Sequence, residues 1–439
     1  PSPRIEDSTH VLVTDPSSSE TTEEHHETES LLLKDSYQSL PLPASGPSRS
    51  ATLPWWQLAG ICYFCLGGGP FGFEASVAAS GGSLAICLGA LTLMAVLWAM
   101  PQALYISELS TRYQRGFNEW VTVGLSPAVG MAHSLIRTLF HLLTNGVYAA
   151  LFVHYGSKLL LSFSLLASSP LDASADSSFS SSGDAIIVHE TTWWQRSICL
   201  ILFEAIILVP NLCGLKLVGK ASVALLLLVL SPFVVMLFWS IPRLRPSLLI
   251  GGPSFHVDWS LLVSVLMFNL MGWDFVGNLS SQAKKPQRDI PLALAIAMVL
   301  LCATYAVPTF VSSSLLQSPE SLVTAGDSLF STAAGLLWAP FQYIVSVTAL
   351  IGVLGLGCTF LTTSSEASAL ATSYNYLPKF IGSRAPKTDA PWVFMLIEVG
   401  VGGIAALLAN FEQIVELMSW LFCFSTFLIA VSFIALRWK

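Results

Sequence analysis

The sequence predicts an all-α membrane protein of ten spans, built as two halves of five spans each that lie in opposite orientations. Three observations carry this. Of the 439 residues, 53% are hydrophobic and only 11% charged, with a mean hydropathy of +0.67, whereas soluble domains carry about 25% charged residues. Ten apolar segments follow Pro54, at about 55–81, 84–108, 126–158, 193–210, 216–241, 259–281, 291–315, 328–361, 391–409 and 413–436; each is near or above the roughly twenty residues a span requires. The first and the sixth of them are interrupted at mid-length by glycines and an acid.

Residues 1–52 form a separate region, rich in Ser, Thr, Glu and Pro, with nine acids against three bases (Arg4, Lys34, Arg49). Such a composition does not repay the entropy of ordering and reads as a disordered acidic cytosolic tail. It accounts for most of the formal charge of -7, so the membrane body is almost neutral, and no basic patch suggests nucleic acid. Within the tail, Glu27, Leu31 and Leu32 fit an acidic dileucine signal for a sorting adaptor, a short pattern with many chance matches. The membrane body divides at 53–241 and 242–439, five segments each. With the tail inside, twelve basic residues fall on the inner side (Arg112, Arg115, Lys216, Lys220, Lys284, Lys285, Arg288, Lys379, Arg384, Lys387, Arg437, Lys439) and four near the outer side (Lys158, Arg196, Arg243, Arg245). The bias places both termini in the cytosol. The sorting signal and tail fit the plasma membrane or an endosomal compartment. The chain begins at Pro1 rather than Met, and an unnatural N-terminus is expected.

The first interruption, Gly67-Gly68-Gly69-Pro70-Phe71-Gly72-Phe73-Glu74, packs four glycines and a proline into six positions. A membrane helix unwinds there, and unwound backbone at that depth is tolerated only where it is buried in protein or lines a cavity. The second runs from Asn269 through Gly272, Trp273 and Asp274 to Gly277. Interrupted segments in corresponding positions of two halves point to an inverted-repeat transporter core of the LeuT type, with broken helices 1 and 6 and a site between them at the midplane. Taken singly, the second break reads rather as a packing glycine or kink; the paired placement is what favours the transporter reading.

Broken helices turn backbone N–H groups and a positive dipole end toward the cavity, which suits an anion. Here Glu74 and Asp274 stand in the opening turns of the second half-helices. Built-in carboxylates compete with a substrate carboxylate and favour a cationic cargo; the other reading is that both acids simply cap their half-helices. Trp273 beside Asp274 is placed for cation–π contact with an alkylammonium. Asn145 and Tyr148 share one side of segment three and offer neutral hydrogen bonds. An arginine at the depth of Arg137 needs a carboxylate partner, and Glu204 or Glu108 are the expected ones. Glu204 is also a candidate for a coupling proton, and Glu108 a second. Glu398, Glu416, His133 and His141 are weaker candidates.

Nothing marks an enzyme: there is no phosphate-cradling loop, no metal-ligand spacing and no nucleophile beside a base, and no cofactor or metal is expected. The eight cysteines lie in apolar segments and read as small buried hydrophobes, the Cys62-x-x-Cys65 pair included.

From about Leu58 to Arg437 the chain resembles the polyamine–proton symporters of the amino acid–polyamine–organocation superfamily, of the plant and protozoan type. The likeness rests on Gly68-Gly69-Pro70-Phe71-Gly72-Phe73-Glu74, Pro101-Gln102-Ala103-Leu104 ahead of Glu108, the Asn145/Tyr148 pair, Asn211 with Gly214 and Gly219, Ser231-Pro232-Phe233, Trp273-Asp274, and Pro286-Gln287 followed by Pro291. It departs at Gln102 and Gln282, where that family commonly has Glu, and in the absence of charge from Leu329 to Ser365. The family usually has twelve spans, so a continuation after Lys439 is expected. The resemblance implies proton-driven uptake of putrescine- or spermidine-like cations. The expected location is the plasma membrane, and the residues expected around the cargo are Gly68, Gly69, Phe71, Gly72, Glu74, Asn145, Tyr148, Trp273 and Asp274. An amino-acid permease of the same fold is the alternative, and a non-transporting nutrient sensor the alternative of another class.

Overall fold

The computed structural model describes residues 53–167, 193–408 and 411–439; the tail with its dileucine signal lies outside the described residues. These are helical, and their one β-type contact is an isolated bridge between Leu53 and Ala283. In chain order the helices are α1 Trp55–Leu66, α2 Glu74–Ala79, α3 Leu84–Arg112, α4 Gly116–Gly124, α5 Pro127–Ala167, α6 Trp193–Leu212 and α7 Leu215–Ser240. Then follow α8 Trp259–Asn269, the 3-10 stretch α9 Trp273–Gln282, α10 Pro286–Leu316, α11 Pro319–Ala325, α12 Leu329–Leu337, α13 Phe341–Ser373, α14 Trp392–Leu408 and α15 Phe411–Trp438. Eight helical stretches are long and apolar enough to cross a membrane, counting α8 with α9 as one, and two further apolar helices, α1 and α14, are shorter. The molecule is a multi-pass membrane protein.

Both interruptions expected from the glycines are present. Helix α1 stops at Leu66, where extended Gly67 donates its N–H to Tyr63 O at 2.9 Å, and the chain re-enters helix at Glu74. Helix α8 stops at Asn269 and the chain restarts as α9 after Gly272, whose φ of 101° lies in the left-handed region. A Cβ on Gly272 would sit 2.6 Å from the Cys65 carbonyl oxygen, so both its conformation and its neighbour require glycine. The two broken segments lie side by side in opposite directions. At one end Leu53 N–H donates to Gln282 O (3.0 Å) and Lys284 N–H to Leu53 O (3.0 Å); at the other Asp258 N–H donates to Ala79 O (2.9 Å).

One expected boundary is corrected. The apolar run 328–361 is not a single helix: it divides at Trp338-Ala339-Pro340 into short α12 and long α13, which ends only at Ser373. Hydropathy continues across this point, but Trp338 is extended (φ -159°) and Pro340 starts a new helix, because proline lacks the N–H and the room to continue one. Helix α13 packs against α5, α7, α1 and α9 and so backs both breaks.

Candidate functional site

The first break is held between α13 and α8. Gly68 presses its carbonyl onto Gly352 of α13, leaving so little room that a Cβ there would lie 1.9 Å from that oxygen. Gly69 lies against Val229 and Phe71. Gly72 donates its N–H to Glu74 Oε2 at 2.6 Å and accepts at its carbonyl from Asn269 Nδ2 at 3.2 Å, so the second break is tied to the first. Tyr305 supports both, stacking on Phe73 (centroids 4.8 Å apart) and donating its hydroxyl to Asn269 O at 3.2 Å.

Glu74 is buried, at 3% exposure. Its two oxygens divide the two readings made of it: Oε2 ties the start of α2 back to the loop, as a cap would, while Oε1 has no protein partner. A buried carboxylate oxygen without a donor carries a desolvation cost of several kcal/mol unless something cationic or protic meets it.

Asp274 is placed differently. Its Oδ2 accepts from Arg137 Nη2 in a direct ion pair, both side chains being fully buried. The expectation that Glu204 or Glu108 would neutralise Arg137 is therefore corrected. Glu204 meets α5 at Asn145, eight residues or about 12 Å along the helix axis from Arg137, where it accepts from Asn145 Nδ2 at 2.9 Å. Glu108 stands at the end of α3, accepting from Arg437 at 2.5 Å with Arg112 at 3.5 Å. The guanidinium also lies over the rings of Phe117 (4.5 Å), Phe140 and Phe275 (both 5.0 Å) and Phe422 (5.8 Å). These rings supply cation–π attraction where water is absent.

Trp273 is buried beside the second break with its indole N–H given to Leu270 O at 2.9 Å. Tyr148 packs edge-on against Phe360 (5.3 Å) and is within electrostatic reach of Cys65 and Tyr305 at the first break. Its partner in sequence, Asn145, faces away toward Glu204 and the Glu398 carbonyl (3.5 Å). Glu398 itself takes two contacts from the Ser364 hydroxyl, at 2.8 and 2.7 Å. The site residues thus separate: Glu74 with the glycines and Phe71; Trp273 and Asp274 at the second break, Asp274 paired with Arg137; Asn145 with Glu204; and Tyr148 against Phe360.

Sequence reasoning missed the aromatic wall beside the first break. Phe71 meets Tyr155, Phe233 and Phe330 edge-on, at 6.0, 5.6 and 6.1 Å. Beyond them Asp327, in the turn between α11 and α12, accepts from Lys158 Nζ at 3.3 Å and faces His154 Nε2 at 3.5 Å. The His154 contact, with the Lys158 charge adding to it, holds the Asp327 carboxyl down to about 2. The available signal was His154, Tyr155 and Lys158 at i, i+1 and i+4, which brings the imidazole and the ammonium onto one helix face. At the opposite end of the bundle a cavity of about 360 Å³ is lined by Asn211, Lys216, Gln282, Thr362, Glu366 and Lys387, among others; there Glu366 is bound by Arg384 at 2.8 and 3.1 Å.

Long apolar helices packed around broken backbone, with a half-free carboxylate at the break, are the parts of a membrane transporter. The chain belongs to the amino acid permease family, which it matches over residues 53–439. It is 27% identical to the polyamine transporter RMV1 of Arabidopsis thaliana over 406 residues, 90% of this chain and 76% of that protein. It is equally 27% identical to the polyamine transporter PUT1 of Oryza sativa subsp. japonica over 407 residues, 91% of this chain and 70% of that one. A shorter likeness, 25% over 179 residues, covers 40% of this chain and 29% of the vacuolar cationic amino acid transporter 8 of Arabidopsis thaliana. The expected likeness to the polyamine branch is borne out, and with it the reading of the chain as a transporter rather than an enzyme.

Proposed function

We propose that this protein is a secondary active importer of polyamines, putrescine- or spermidine-like cations, coupled to protons and working by alternating access. The observation that carries the reading is Glu74: a carboxylate buried at a helix break with one oxygen unpartnered, in a chain similar to transporters named for polyamines. A cargo ammonium on Oε1 removes the cost of that orphaned oxygen. Asp274 is neutralised by Arg137 in this conformation, so Glu74 is the primary cation ligand. Asp274 then keeps the second break rigid beside it, with Trp273 closing the backbone there.

The architecture we infer is ten spans in two inverted five-helix halves, 53–241 and 242–439, with both termini cytosolic in the plasma membrane. The antiparallel course of the two broken segments and the distribution of basic residues support it. For the coupling proton we favour Glu204 over Glu108. Glu204 is buried with Oε2 unpartnered, whereas Glu108 is spent on two arginines at a helix end.

The test is uptake of labelled putrescine into proteoliposomes holding the purified protein, with and without an inward proton gradient, and with arginine and leucine as competitors. Gradient-driven uptake that neither amino acid suppresses is expected. Glu74→Gln should weaken it at least ~30-fold, the equivalent of the ~2 kcal/mol lower limit for removing one partner of a buried charge pair, and Glu204→Gln should uncouple it from the gradient. A second reading, a permease for cationic amino acids, is favoured by the partial likeness to the vacuolar cationic amino acid transporter. Arginine uptake that survives Glu74→Gln, with no putrescine uptake by the unmodified protein, would select it.

A further inference from the structure

If the cargo carries two ammonium groups, Glu74 serves only one of them, and Asp274 already has a cation of its own in Arg137. The next carboxylate on the outer side of the break is Asp327. Helix α2, which begins at Glu74, packs against the turn Gly326–Ser328. Asp327 and Lys158 are both within electrostatic reach of Glu74, and Tyr155 is within reach of both acids. Phe71, three residues before Glu74, is edge-on to Tyr155 and to Phe330, three residues after Asp327, and these rings offer methylene groups an apolar surface. Asp327 is 38% exposed at its side chain and its Oδ2 lies 3.3 Å from Lys158 Nζ. A lysine side chain is itself an alkylammonium on four methylenes, so the protein holds at Asp327 the same chemical group that the end of a linear diamine would present. The buried, unpartnered Glu74 Oε1 marks the other end.

We propose that Glu74 and Asp327 together form the site for a linear α,ω-diammonium cargo, with the chain laid across Phe71 and Tyr155 and with Lys158 as a tethered competitor that the second ammonium displaces. The proposal rests on the polyamine reading and adds to it the residue that distinguishes two amines from one. A monoamine of the same length satisfies Glu74 and leaves Asp327 with Lys158 and His154, so Asp327 sets a preference for diamines.

The experiment measures competition by 1,4-diaminobutane and 1-aminobutane against labelled 1,4-diaminobutane uptake in proteoliposomes of the unmodified protein, Asp327→Asn and Lys158→Gln. The unmodified protein should prefer the diamine. Asp327→Asn should collapse the ratio of the two half-inhibition concentrations roughly ten-fold, toward one, as expected for loss of one charge partner. Lys158→Gln should widen the same ratio roughly five-fold, the upper range for freeing a partly exposed carboxylate from its pair. An unmodified protein that takes up no diamine removes the polyamine reading and this proposal with it. Diamine uptake with an unchanged ratio in Asp327→Asn overturns this proposal alone. Should Asp327→Asn fail to elute as a folded species, Lys158→Gln decides: a widened ratio upholds the site, and an unchanged or narrowed one rejects it.

Discussion

At the scale of single residues, the Arg137–Asp274 pair is where the cost of a membrane interior is most concentrated. Removing water from two charges costs several kcal/mol each, and the mutual attraction offsets this only with good geometry and further contacts. The four rings around the guanidinium provide those contacts, each cation–π contact being worth ~2 kcal/mol when desolvated. Breaking the pair from one side leaves Arg137 as a cation with no anion. Asp274→Asn should therefore destabilise the protein by about 3–5 kcal/mol, read as thermal unfolding in detergent. Adding Arg137→Met to it should recover most of the loss, since neither charge then remains. A shift below about 1 kcal/mol for the single substitution would mean that the pair is dispensable to the fold. That Arg137 needs an acid was legible from its position in an apolar segment. Which acid was not, because the partner lies 137 positions away on a stretch whose turn places it only after the chain has broken at Gly272.

At the scale of elements, α13 is the wall against which the first break is formed, and its glycines are cut to the shape of what they meet. A Cβ at Gly352 would lie 1.9 Å from Gly68 O, and one at Gly355 2.3 Å from the Phe64 ring. A ring can turn, but the Gly68 carbonyl belongs to backbone held by its neighbours on both sides. Gly352→Ala should thus cost ~3 kcal/mol or more, the upper end for overpacking, and should abolish transport, with thermal unfolding and uptake as the two readouts. Gly400 on α14 has nothing within 4 Å of its Cβ position. Gly400→Ala should be neutral or stabilise by up to ~1 kcal/mol through helix propensity, and equal effects at the two positions would show that contact with Gly68 is not what fixes Gly352. The breaks themselves were readable in the sequence because glycine and proline act locally. The end of α12 was not, since Trp338 and Ala339 keep the hydropathy high up to Pro340, and only the geometry of the chain separates α12 from α13. Asp327 was missed for the related reason that a loop acid is unremarkable until the fold brings it over the first break.

At the scale of the whole molecule, the import proposed above requires that the Glu74 side of the break open outward and the opposite end open to the cytosol, so the direction of transport follows from orientation. The two ends are chemically distinct. One holds Leu53 paired with Ala283, the Glu108–Arg437 contact and the cavity with Lys216, Lys387 and Cys213; the other holds the Asp327–Lys158 pair and the turn Pro246–Leu249. In the orientation proposed above, with twelve basic residues on one side against four on the other, the first end faces the cytosol. Cys213 is exposed there while the other described cysteines are buried or half-buried, so the unmodified chain already contains the reporter. A membrane-impermeant maleimide should leave Cys213 unlabelled in intact cells and label it after permeabilisation, whereas a Ser247→Cys variant, exposed at the other end, should be labelled in intact cells. The reverse pattern would invert the molecule: the Asp327–Lys158 pair would face the cytosol, the proposed positive-inside orientation would be wrong, and Glu74 would receive its proposed cation from inside, making the same site that of an exporter.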